Sequence, residues 1–120
     1  MTQQRSFTKT ENELLPKFRK MTNEAESTED VKKFFAYCMQ ELIGQASDGR
    51  LALQFAEIEL IPGAEPPYRF SEAVRAGEDF AQVWQTSDLG HIVQRFAELA
   101  VRRHRHLEKN PQKTEAKIRK

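Results

Sequence analysis

Arg50–Pro67, RLALQFAEIELIPGAEPP, decides whether this 120-residue chain is all helical or mixed. Leu51, Leu53 and Phe55 alternate as on a half-buried strand. The alternation then slips, because Glu57 and Glu59 take that same face while Ile58 and Leu60 move to the other. A half-buried strand does not change faces without a bulge. Read as a helix, Leu51, Phe55 and Ile58 share a face, and Ala, Leu, Gln and Glu are favourable formers. The expectation is therefore a helix across this stretch, ended by the stiff IPGAEPP loop.

The preceding segment, STEDVKKFFAYCMQELIGQAS (27–47), is the clearest helix in the chain. Val31, Phe34, Phe35, Cys38, Met39, Leu42 and Ala46 recur at steps of three and four, which makes one apolar stripe. Ser27 is a good N-cap, and Glu29 and Asp30 sit near the positive end of the helix dipole. Asp48-Gly49 closes the element. Further upstream, Thr10 and Glu13 have capping-box spacing, but Pro16 conflicts with a helix running through from Glu11. A helix with Pro16 in its first turn is expected, touching the core through Leu14, Leu15, Phe18 and Met21.

Downstream, FSEAVRAGEDFAQVWQ (70–85) predicts one helix from Ser71, with Ala73, Val74, Gly77, Phe80, Ala81 and Trp84 inward. An interior glycine costs about 1 kcal/mol against alanine unless it allows close packing. Ser87 and Asp88 open a last helix, LGHIVQRFAELAVRRHRHLEK (89–109), striped by Leu89, Ile92, Val93, Phe96, Leu99 and Ala100. Asn110-Pro111 ends it. The expected fold class is all-α: a small antiparallel bundle of four to five helices over residues 11–109. Residues 1–10 are expected to be flexible, and 110–120 to form a disordered basic tail.

Length supports one domain with its own core. Cys38 is the single cysteine, so no internal disulfide forms, and the polar opening MTQQRSFTKT is no signal peptide. A reducing cytoplasm is the expected setting. No run reaches the roughly 18 apolar residues of a membrane span, so no membrane partner is expected.

The net charge of +1 is unevenly laid out. Residues 1–20 carry five Lys/Arg against two acids, 21–100 six against fourteen, and 101–120 eight against two. Basic ends flanking an acidic centre suggest an arm that meets an acidic partner. In the last helix Arg102, Arg103, Arg105 and Lys109 spread around much of the surface, and Lys113 extends them into the tail. Such a spread suits contact with phosphates rather than bases. Arginine's planar fork matches phosphate well. Lys17, Arg19 and Lys20, with Lys32 and Lys33 on the next helix, join this surface only if the first two helices lie against the last. Cations near a helix C-terminus are also favourable in any protein, by roughly 0.3–1 kcal/mol each.

Other constellations carry less. Every Phe after residue 30 falls on an apolar stripe and reads as core. Only Tyr37 and Tyr68 remain as exposed aromatics for stacking. His104 and Glu108 lie one turn apart, but two ligands are too few for a metal, and the flanking arginines repel a cation. Ser87, Asp88 and His91 lie within one turn of sequence and read as a helix cap rather than a triad. Cys38 lies on an apolar stripe. There is no P-loop and no dinucleotide fingerprint, so neither cofactor nor enzymatic activity is expected. The reading is a non-enzymatic helical subunit holding a DNA or RNA backbone, or an acidic protein, as an accessory to a nucleoprotein complex with other protein subunits. The alternative is a protein–protein adaptor or small inhibitor whose working face is acidic, carried by Glu57, Glu59, Glu65, Glu72, Glu78 and Asp79.

Overall fold

The computed structural model describes residues 6–49, 51 and 53–109. Arg50, the expected tail 110–120 and Lys113 within it lie outside the described residues. The protein is mostly helical, with five helices and one two-stranded hairpin among the described residues. Three long helices form the core: α1 (Thr8–Glu24), α2 (Thr28–Ala46) and α5 (Leu89–Lys109). The long connection from α2 to α5 carries β1 (Ile58–Leu60), β2 (Tyr68–Phe70), α3 (Glu72–Arg75) and α4 (Glu78–Thr86).

α2 forms as its pattern predicts. Ser27 Oγ accepts the Asp30 amide at 3.1 Å, satisfying one donor that the helix leaves open. Val31, Phe35, Met39, Leu42 and Ala46 are buried. At the far end Asp48 and Gly49 take positive φ, 54° and 81°, and the Gly49 amide reaches back to the Gly44 carbonyl at 2.8 Å. α5 buries Leu89, Ile92, Val93, Phe96, Ala97 and Ala100 on one face. Phe18 of α1 sits where the three helices meet, its ring 5.3 Å from Phe96 and 6.5 Å from Phe35.

α1 departs from expectation in two ways. It begins at Thr8, inside the stretch expected to be flexible, and it runs through Pro16. A mid-helix proline removes one hydrogen bond and clashes with the carbonyl one turn back, a penalty of about 3 kcal/mol. Contacts on both sides of Pro16 offset it. The Asp88 carboxylate accepts the Phe7 amide at 2.8 Å and the Ser6 hydroxyl at 3.1 Å, placing negative charge at the start of α1. Glu11, buried, takes Arg95 of α5 in a two-point pair at 2.6 and 2.9 Å. Beyond the proline, Phe18 and Thr22 are fully buried. Pro16 itself is exposed to solvent.

The predicted helix over 51–60 does not form. The Ser47 hydroxyl accepts the Leu51 amide at 2.9 Å, and Gln40 of α2 donates to the Leu53 carbonyl at 2.9 Å, so both residues are tied to the end and side of α2, and Gln54 after them is extended. Phe55–Glu57 then makes one 3-10 turn, in which the Glu57 carboxylate accepts the Gln54 amide at 2.8 Å. β1 follows and pairs antiparallel with β2, Ile58 opposite Phe70 and Leu60 opposite Tyr68. The slip in alternation is this turn. It lets Leu53, Ile58 and Leu60 all face the core although their parities differ. The expected helix from Ser71 is likewise two. Ser71 caps α3, the helix stops, and Gly77 becomes the N-cap residue of α4 rather than an interior position. Among the described residues no helix is long and apolar enough to cross a membrane.

Cys38 lies in the α2 face of the core. Burial, with the nearby Glu41 charge adding to it, pushes its thiol up to about 12. The native chain therefore keeps the thiol proton in a range where the unfolded chain, near its ordinary value of 9.0, loses it. Stability from this group is complete below pH 9 and declines as pH rises toward 12. We expect Cys38→Ala to flatten the fall in unfolding free energy between pH 8 and 10 by about 1 kcal/mol. Urea titrations of both chains at those pH values check it, and equal slopes would contradict it.

Candidate nucleic-acid interface

The helix period sorts the cations of α5. Residues 89, 92, 93, 96, 97, 100, 101, 104 and 107 face inward. The opposite face reads His91, Arg95, Glu98, Arg102, Arg105 and Lys109, all exposed, at steps of three and four. The four cations of the helix end are thus not spread around the surface. Three of them, Arg102, Arg105 and Lys109, share one solvent face. They span eight residues, about 10 Å of helix.

Arg103 turns the other way. It is half-buried, and its Nη2 donates to the Ala25 carbonyl at 2.9 Å. Ala25 is the C-cap of α1, so this guanidinium meets the negative end of that helix dipole. Its Nε is buried without a partner. This contact also fixes where α5 lies: its C-terminal half passes the turn between α1 and α2.

That placement brings the C-terminal half of α5 to the end of the core where α1 and α2 join. Arg19 and Lys20 are exposed in the second half of α1, and Lys33 is exposed in the first half of α2. Lys32 lines a groove with Arg105 of α5, floored by Leu60 and Ile61. Lys17 stands apart, its Nζ 3.5 Å from Glu41 on the exposed α1–α2 seam. Among the described residues, Arg19, Lys20, Lys32, Lys33, Arg102, Arg105 and Lys109 make no ion pair. Glu29, Asp30, Glu59 and Glu108 are interspersed with them in sequence or across the grooves.

Phe55 is the residue that the sequence pattern misplaced. It is not core but 48% exposed, as is Tyr37, and the two rings lie 5.4 Å apart. They border a groove that Lys32 and Lys33 also line. The signal for it was the broken alternation, which put Phe55 on the turn rather than on a face.

His104 is buried, with Nδ1 3.4 Å from Glu108 Oε1 but no hydrogen bond to it. Among the described residues no three His, Cys, Asp or Glu side chains gather to hold a metal. Ser87 Oγ donates to the Val83 carbonyl and accepts the Leu89 amide at 3.2 Å, while Asp88 ties down α1. None of these hydrogen bonds involves His91. Of the central acids, Glu57 caps its own turn, and Glu72, Glu78 and Asp79 occupy first turns of α3 and α4. Such positions favour carboxylates for local reasons.

No family model matches the chain, and no curated protein or solved structure matches it.

Proposed function

We propose that the protein is a non-enzymatic subunit that grips a nucleic-acid backbone with the exposed face of α5, as an accessory to a nucleoprotein complex. The observation that supports this is the single solvent face shared by Arg102, Arg105 and Lys109, none of them paired with a carboxylate among the described residues. Cations left without acids are available to replace the counterions of a phosphate chain. Lys32, in a groove with Arg105, widens the track, and Lys33 follows it on α2. Arg103 and Lys17 belong to the fold rather than the grip, because each already has a partner. The setting of this work is a reducing cytoplasm, consistent with one buried thiol.

Fluorescence anisotropy with labelled single- and double-stranded DNA and RNA, at several salt concentrations, tests the reading. The full chain is expected to bind each, with log affinity falling against log salt at a slope of about −3 or steeper, since each contact contributes roughly −0.9 on a duplex. Absence of binding at low salt, or binding indifferent to salt, overturns it. The acidic-surface adaptor would then be the better account, and a pull-down for protein partners the next experiment.

A further inference from the structure

Four aromatic rings come together from two elements outside the three long helices. Tyr68 and Phe70 stand on β2, Phe80 and Trp84 on α4. Trp84 stacks on Phe80 with centroids 5.3 Å apart and meets Phe70 edge-on at 5.5 Å. Tyr68 lies 6.3 Å from Trp84. Phe70 and Phe80 are buried and make a floor, while Trp84 and Tyr68 are only half-buried. Between them is a cleft of about 480 Å³. That size lies within the range of small-molecule sites, which are mostly apolar with a few polar groups for orientation.

Three features distinguish the cleft from a core that failed to close. The Trp84 ring is held against α5 at Gly90, where even a methyl group would lie 3.3 Å from it. The wall is therefore fixed by close packing rather than by chance. Tyr68 and Trp84 each carry a polar hydrogen that makes no hydrogen bond among the described residues. The Tyr68 phenol is a donor at neutral pH, and burial raises it further above its ordinary value. Finally, the charged residues of the lining are two arginines, Arg69 and Arg75, with no acid among them. Arg75 makes no ion pair among the described residues, and Arg69 has only an exposed carboxylate, Glu59, at 3.7 Å. Arg69 alternates with Tyr68 and Phe70 along β2, so its side chain stands on the opposite face beside Glu59, and Arg75 is the cation beside the rings. Aromatic walls with donors and an unpaired arginine at the rim complement an aromatic anion.

We propose that this cleft binds a small planar aromatic anion, its ring against Trp84 and Tyr68 and its acid group on Arg75. The proposal is independent of the grip on nucleic acid, which uses other residues.

The chain has one tryptophan, so its indole N–H gives a single cross-peak that reports on the cleft directly. The probe is 2-naphthoate, compared with 2-naphthamide, its neutral isostere. Titration of the full chain with naphthoate should shift the indole peak to saturation, with calorimetry giving at least tenfold weaker binding for the amide. The variant Arg75→Gln, changed at an exposed position, should lose the preference for the acid while still binding the amide, whereas Arg69→Gln should keep it. An indole peak unmoved at millimolar naphthoate overturns the proposal. So does equal affinity for acid and amide in the parent chain, or a preference that survives Arg75→Gln.

Discussion

Phe18→Ala lowers the free energy of unfolding by about 3–5 kcal/mol, the usual range for deleting a fully buried aromatic ring. Phe18 is 1% exposed and is the α1 ring that packs on rings of both other long helices, Phe35 of α2 and Phe96 of α5. Those neighbours sit on separate helices and cannot all collapse into the space at once. The loss therefore includes an unfilled cavity as well as buried area. Against a total stability of about 5–15 kcal/mol, such a change brings the chain near its unfolding threshold. In urea it appears as a midpoint lowered by about 2 M, with an unchanged slope. Phe55→Ala is the control. Phe55 is 48% exposed and touches mainly Tyr37, so its removal should cost less than about 1 kcal/mol. Equal losses at the two positions would mean that residues 51–60 pack as the helix their composition favours, and not as the turn and strand described above.

That comparison marks where local reading of the sequence works and where it stops. α2 and α5 are legible because each has a long apolar stripe and its own starting signal. Ser27 and its hydrogen bond to Asp30 lie within one turn, and so need no knowledge of the rest of the chain. Residues 51–60 fail for the opposite reason. Their helix propensity is real, but the hydrogen bond from Gln40 to Leu53 and the pairing of Ile58 with Phe70 come from distant residues. Short segments carry little intrinsic preference, so a few such contacts decide their state. Pro16 is the same lesson inside a helix. Its penalty is visible in the sequence, whereas Glu11–Arg95 and Phe7–Asp88, which offset it, span more than eighty positions. The basic surface was half legible. Its residue types could be read, but the division between Arg103, which caps α1, and Arg102, which faces water, depends on where α5 passes the α1–α2 turn.

Reversing the face of α5 with Arg102→Glu, Arg105→Glu and Lys109→Glu together should weaken nucleic-acid binding by about 100-fold at moderate salt. The same change should flatten the salt slope by about 2.7 on a duplex, because three phosphate contacts are removed. The second quantity discriminates better than the first. A variant that merely destabilised the fold would lower the active fraction at every salt concentration and leave the slope intact. All three side chains are exposed, so no packing is lost. Carboxylates near a helix C-terminus do oppose the dipole, by about 0.3–1 kcal/mol each. The glutamine triple variant avoids that term, and should show the same flattened slope with a smaller loss of affinity. Lys17→Glu supplies the contrast. Lys17 carries the same formal charge as Lys109, but it lies beside Glu41 on the α1–α2 seam. If net charge alone governed binding, this one reversal would have about a third of the triple effect. If the α5 face is the contact, it should change affinity by no more than about twofold and leave the slope alone. A triple variant that binds as the parent does would remove α5 from the interface.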